Sequence, residues 1–244
     1  AAAWEAAGGG GATTLSGLTD VLIDATNWTD SILIQPNSDG LAPTTGVLNG
    51  ASGNVGIGSN ALLAITQAGG VIAIGTDAGK AITNAAGSVI IGREAGAAGN
   101  PGSAVLIGGN AGKGGVGNSS VHIGANSGQW ATGFQNVHVG SDAGNSVSGY
   151  RNVSLGHGAL GTDTGLSGNG NIGIGYLAGD NGVVITSGND NVIIGTADVP
   201  SGTADDQLSI SNGSTGDVVW IAGDDAGACY QGDNATTWST TSDQ

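Results

Sequence analysis

His122 and His138 occupy the same place in two copies of one phrase, Val121-His-Ile-Gly124 and Val137-His-Val-Gly140. If each phrase is a strand and the strands lie side by side, the two imidazoles stack ~4.8 Å apart. A neutral imidazole pair at that spacing can serve a metal or an anion, or it can fill a polar interface. A metal needs a ligand geometry that one column of residues does not supply. Asp77, Glu94 and Asp142 share a second column with Asn60, Asn110 and Asn126. That column reads as turn-forming polar residues; an oxygen-ligand cation site would require a second column of carboxylates. Gly168-Asn-Gly-Asn-Ile-Gly173 spells a dinucleotide fingerprint, but strand pattern continues where the motif needs a helix. No Ser/His/Asp or Cys/His arrangement converges, and Cys229 is the single cysteine, so no intrachain disulfide forms. The expectation is a protein that is not an enzyme, with no catalytic residue and no cofactor.

An internal repeat positions these columns. The pattern β-branched–x–aliphatic–Gly closes on Gly58, Gly75, Gly92, Gly108, Gly124, Gly140, Gly156, Gly175 and Gly195, at intervals of 16 to 20 residues. The residues three and one before each glycine are aliphatic, as in Val55 and Ile57, Val105 and Ile107, or Val192 and Ile194. The residue between them varies: Gly56, Ala73, Ile90, Leu106, His122, His138, Ser154, Gly173, Ile193. Three residues past the glycine comes Ala61, Ala78, Ala95, Ala111, Ser127, Ala143, Ala159 or Ala178. Such a period defines an all-β solenoid, a parallel β-roll of ~16-residue coils. The alternation predicts a strand whose two fixed aliphatics face the coil's core. A glycine corner and a second short strand, with alanine over a thin core, then follow. On this reading Ile90, Leu106 and Ile193 point away from the coil's own core. A coil that buries so little cannot order itself alone, so burial against other chains through that face is expected.

Glycine supplies 50 of the 244 residues without collagen's every-third spacing. Nineteen acidic against four basic residues leave a formal charge of −15, which disfavours nucleic acid and anionic membranes as partners. No apolar run reaches the roughly 18 residues of a membrane span, so no membrane insertion is expected. The opening AAAWEAAGGGG has neither the basic region nor the apolar core of a secretory signal. Three segments follow: 1–30 a lead-in, 31–200 the repeat domain, 201–244 a C-terminal cap. Ser31-Ile-Leu-Ile-Gln35 fits the repeat as a degenerate first coil, and Leu208-Ser-Ile-Ser211 restores a coil-like strand after a break at Pro200. Catalytic β-helices use longer coils with larger cores, and an ice-binding solenoid shows a regular outward threonine column; neither pattern is present.

The phrase N/S-V-x-I-G followed by x-x-A-G resembles the head repeat of trimeric autotransporter adhesins. It is also similar to β-roll repeats of bacteriophage tail fibres, and the resemblance spans about 50–200. It implies a left-handed parallel β-roll in a homotrimer. Were the middle column to line the trimer axis, His122 and His138 would gather six imidazoles there as an axial metal or anion site. The end, ACYQGDNATTWSTTSDQ, is similar to the tail-fibre segment before an endosialidase-type intramolecular chaperone. In that family T-S-D-x-R/K lies at the self-cleavage junction, which the resemblance places at Ser242, Asp243 and Gln244. Together these imply a virion tail fibre that contacts other tail proteins and a host-surface glycan or protein receptor. The alternatives are a bacterial trimeric adhesin head at the cell surface, and a fibre spacer that binds nothing.

The aromatic residues suggest where a receptor would touch. Three of the chain's nine fall between 130 and 150: Trp130, Phe134 and Tyr150. Phe134 and Tyr150 share a repeat position, which predicts a stacked ladder, with Gln135 and Arg151 in the adjacent column. Trp130 stands where other coils have Ala64, Ala81, Ala98, Gly114 or Ser146. Flat rings beside amide and guanidinium donors suit a sugar, which offers C–H faces and hydroxyls together. Filling of grooves between subunits is the plainer reading of the same rings.

Overall fold

Each repeat phrase folds as one three-residue strand, and the strands stack in register. The computed structural model describes residues 21–22, 28–35, 45–115, 117–161, 165–196, 198–212, 218–223, 229–231 and 236–237. The strands in order are β1 (Val21–Leu22), β2 (Trp28–Thr29), β3 (Ile32–Ile34), β4 (Ala51–Ser52), β5 (Val55–Ile57), β6 (Ile72–Ile74), β7 (Val89–Ile91), β8 (Val105–Ile107) and β9 (Val121–Ile123). They continue as β10 (Val137–Val139), β11 (Val153–Leu155), β12 (Ile172–Ile174), β13 (Val192–Ile194), β14 (Leu208–Asn212), β15 (Val218–Gly223), β16 (Cys229–Gln231) and β17 (Thr236–Thr237). From β3 to β14, with β4 set aside in a small parallel pair with β2, every neighbour in the sheet is parallel. Equivalent residues face each other, as Val121 faces Val137 and His122 faces His138. The molecule is a parallel β-solenoid, with no helix among the described residues. The degenerate coil at Ser31–Gln35 joins the ladder as β3, and Gln35 is buried with its Nε2 donating to the Ala61 carbonyl at 2.7 Å. Both ends change direction: β1 pairs antiparallel with β3, and β15 to β17 form antiparallel pairs beyond β14.

The faces of these strands are the reverse of the sequence expectation. In β5 through β13 the middle residue is buried and the two fixed aliphatics are half-buried or exposed. Ile90, Leu106 and Ile193 lie inside their own coil, fully buried, and do not point away from it. Ile57, Ile74, Leu155 and Ile194 stand on the outer face. The physical reason is the size of the coil. The chain turns immediately after three residues, so the narrow interior admits one strand side chain per coil, and alternation sends the other two outward. The expected second strand is also absent: the stretch after each repeat glycine from Gly58 to Gly175 is a turn. Its small residues, Ala61, Ala78, Ala95, Ala111, Ala143, Ala159 and Ala178, are buried as expected.

Two left-handed residues make each of these turns. The polar column Asn60, Asp77, Glu94, Asn110, Asn126 and Asp142 has φ between 55° and 58°, which accounts for the Asn and Asp there. Two residues later come Gly79, Gly96, Gly112, Gly128 and Gly144, again at positive φ. In two coils this second place holds a leucine instead, Leu62 (φ 56°) and Leu160 (φ 47°), both fully buried. In both, the strand's middle residue is small, Gly56 and Ser154; the next coils pair Ala73 with Gly79 and Gly173 with Gly179, and the leucine of the coil below reaches into their space. A Cβ added at Gly56 would meet Leu33 Cδ1 at 2.4 Å and Leu62 Cδ1 at 3.2 Å. Where the strand supplies a large side chain, as at Ile90, Leu106, His122 and His138, the turn is glycine; Leu62 and Leu160 fill the space left by small middle residues and accept a backbone cost of about 1–2 kcal/mol. Native packing density leaves no room for both in one coil. The repeat glycine itself is fixed by stacking: at Gly108 (φ 134°) a Cβ would sit 2.4 Å from the Gly124 carbonyl oxygen.

A second internal column closes the coil. The residue before each strand is buried: Asn54, Ser88, Ser120, Asn136, Asn152, Asn171, Asn191 and Gln207, with Val71 and Ala104 in the same series. Asn152 Oδ1 accepts the Asn171 backbone N–H at 2.9 Å while its Nδ2 donates to the Gly168 carbonyl at 3.0 Å. Asn136 and Asn171 do the same one coil below and above. Each asparagine thus makes both bonds to the loop of the next coil, tying one coil to the one above. Buried amides are tolerated only when so satisfied.

Candidate functional site

The outer face of the sheet carries two aliphatic columns. One runs Val55, Ile72, Val89, Val105, Val121, Val137, Val153, Ile172, Val192, and the other Ile57, Ile74, Ile91, Ile107, Ile123, Val139, Leu155, Ile174, Ile194. Turns border this face on both sides, and the aromatic residues stand in those turns.

Phe134 and Tyr150 are 46 % exposed each and stack with ring centroids 5.6 Å apart and planes 5° from parallel. The ladder expected from their shared position is present. Gln135 and Arg151, next to them, are exposed and held in left-handed turns (φ 60° and 58°). The Tyr150 N–H donates to Asn169 Oδ1 at 2.8 Å, and the Asn169 N–H to Asn189 Oδ1 at 2.8 Å, so the column continues upward as amides. Trp130, 52 % exposed, lies on the backbone of the coil below: a Cβ at Gly114 would meet its Cε3 at 1.8 Å. The glycine there is what admits the indole. The structure therefore places Trp130, Phe134, Tyr150 and Arg151 on the surface of adjoining coils.

One pair escaped the sequence reading. Tyr176, 55 % exposed, stacks on His157 at 5.4 Å with an interplanar angle of 21°. Each stands directly after a repeat glycine, Gly156 or Gly175. The 19-residue spacing between those glycines hid the shared column, and counting from the glycine reveals it.

His122 and His138 are adjacent, with ring centroids 4.9 Å apart, close to the expected spacing. They lie inside the roll and not on its outer face, so they cannot line an axis between chains; this corrects the axial site. They sit in the column of Leu106, where the strand's middle residue always enters the core. His138 Nδ1 is 2.9 Å from Ser154 Oγ, whereas His138 Nε2 and both nitrogens of His122 have no hydrogen-bond partner. Burial pushes His122 down to about 4 and His138 well below its usual value, with the neighbouring His122 adding to the effect. Both are neutral at pH 7.

The carboxylate column serves the turns. Asn60 donates to Asp77 Oδ1 at 2.9 Å, and Asn126 donates to Asp142 Oδ1 at 3.0 Å. Glu94 is engaged by Lys113 and Arg93, and the hydrogen bond from Lys113 leads in lowering its pKa. Among the described residues no group of three or more His, Cys, Asp or Glu comes together as a metal centre. The junction residues Ser242, Asp243 and Gln244 lie outside the described residues. Comparisons with protein-family models, with curated proteins and with solved structures find no match.

Proposed function

We propose that this chain is the structural and receptor-binding part of a phage tail fibre, a homotrimeric solenoid rod that holds a host-contacting surface away from the virion. The observation that supports assembly is the outer sheet face. Two aliphatic columns in register, with Ile57, Ile74, Val137, Leu155 and Ile194 exposed, form the kind of continuous apolar surface that marks an interaction site. Its repeat of ~4.8 Å along the rod is matched in period by another copy of the same rod. Three copies, with several fibres per particle, let a modest single-site affinity give firm attachment. Trp130, Phe134, Tyr150 and Arg151 are the contact candidates, and a glycan is the receptor class they suit. The N/S-V-x-I-G phrase favours a bacterial trimeric adhesin head as the second reading.

The test has two parts. Sedimentation of the chain should give a trimer, and Ile74→Ser with Ile107→Ser and Leu155→Ser should dissociate it. A wild-type chain that melts cooperatively as a monomer rejects the assembly. Trp130→Ala with Tyr150→Ala should weaken adsorption of the labelled chain to host cells by about tenfold or more and leave the melting temperature within a few degrees. A large fall in melting temperature instead makes the rings packing elements between subunits.

A further inference from the structure

The two ring pairs flank the aliphatic face one coil apart, Phe134 and Tyr150 at β10 and β11, His157 and Tyr176 at β11 and β12. Tyr150 and His157 are separated only by Arg151, Asn152, strand β11 and Gly156, a span of at most roughly 25 Å of chain. Phe134 and Tyr150 border the face where the chain enters the strands, and His157 and Tyr176 border it where the chain leaves. The borders differ in charge. Arg151 stands at the first; at the second, His157 Nε2 is 3.9 Å from Asp142 Oδ2. That carboxylate is held in place: Ser141 Oγ donates to Oδ2 at 2.8 Å and Asn126 Nδ2 to Oδ1 at 3.0 Å. A ring 55 % exposed and already stacked on its neighbour offers a flat face whose ordering cost is met before any ligand arrives.

We infer that His157, Tyr176 and Asp142 form a second saccharide-contact surface, on the border opposite Phe134 and Tyr150. This inference rests on the attachment reading above. Tyr176 presents an aromatic face to the C–H side of a sugar ring. Asp142, an acceptor with no donor of its own when ionised, takes a hydroxyl or an amide N–H, and the exposed imidazole of His157 offers a further polar edge. The carboxylate selects neutral sugars and hexosamines against acidic ones, whose like charge it repels. The Arg151 border has the opposite preference. A branched or repeating surface glycan can meet both borders of one rod.

The experiment is binding of the full chain to an array of neutral, amino and acidic glycans. Tyr176→Ala, Asp142→Asn and Phe134→Ala are measured beside the wild type, with melting temperature and oligomeric state recorded for each. The expected result is that Tyr176→Ala weakens neutral and amino glycans by about tenfold or more, Asp142→Asn admits acidic glycans, and melting is unchanged. If the wild type binds glycans and Tyr176→Ala binds equally well while Phe134→Ala does not, the second surface is wrong and the attachment reading stands. If Tyr176→Ala loses the assembly, the ring is a subunit contact and the inference fails. If the wild type binds no glycan, the glycan reading and this inference fall together.

Discussion

The buried imidazoles of His122 and His138 make the stability of this roll depend on pH. Their folded-state pKa values lie below the unfolded value of about 6.5, so the unfolded chain binds more protons between the two. Stability is constant above that value and falls as the pH drops through it towards about 4, at a cost approaching ~3 kcal/mol for His122 alone. Denaturation midpoints measured from pH 8 to pH 4 should fall less steeply for His122→Leu, which copies Leu106 in the same column. An equal slope in both proteins would show that His122 contributes nothing to the acid sensitivity. The pairing of strand and turn residues also works at this scale. Gly128 has φ 54°, and a Cβ there would meet His122 Nδ1 at 2.3 Å. Gly128→Leu should therefore destabilise by about 3 kcal/mol. His122→Gly added to it reproduces the Gly56–Leu62 arrangement and should recover most of the loss, a favourable coupling readable in a double-mutant cycle.

At the scale of the element, the buried asparagines that precede β5 and β10 to β13 stitch coil to coil. Asn152→Leu leaves the Asn171 N–H and the Gly168 carbonyl buried and unpaired, which should cost about 2–5 kcal/mol. Asn152→Ser should cost less, because Ser120 Oγ accepts the Asn136 N–H at 3.2 Å from the same column. Equal melting of the two variants would mean that the ladder contributes little. The sequence showed strand, glycine corner, coil length and the degenerate coils at both ends, because each leaves a periodic trace. Facing was misread because periodicity two says which residues share a side but not which side is the inside. Constancy along the repeat does not mark the core here. In a coil this narrow the core varies, since Gly56 with Leu62 and Ile90 with Gly96 fill the same space in different ways, while the outer columns keep to Val, Ile and Leu. The pairing of each large middle residue, Ile90, Leu106, His122 and His138, with a turn glycine six residues later is present in the sequence and marks the middle residue as internal. The aromatic candidates were legible in part: Phe134 and Tyr150 by even spacing, His157 and Tyr176 not, because an irregular spacing separates them.

For the whole molecule, a face with two aliphatic columns and a formal charge of −15 set opposite demands. Like charge opposes association of copies through exposed acidic groups, so the neutral outer face is where chains can meet. The parallel ladder has a further consequence for size. Because every coil hydrogen-bonds only to its neighbours, the rod can lengthen or shorten in whole coils without disturbing the remainder. Excision of residues 93–140 joins Gly92 to Ser141 in the place of Arg93 and removes three coils. The product should keep its β-sheet spectrum and be shorter by about 14 Å in electron micrographs. Excision of residues 93–100 breaks the phase and should abolish folding. Length is thus counted in integers, and duplicating or losing one short stretch of DNA changes it by whole coils, with no new fold to invent.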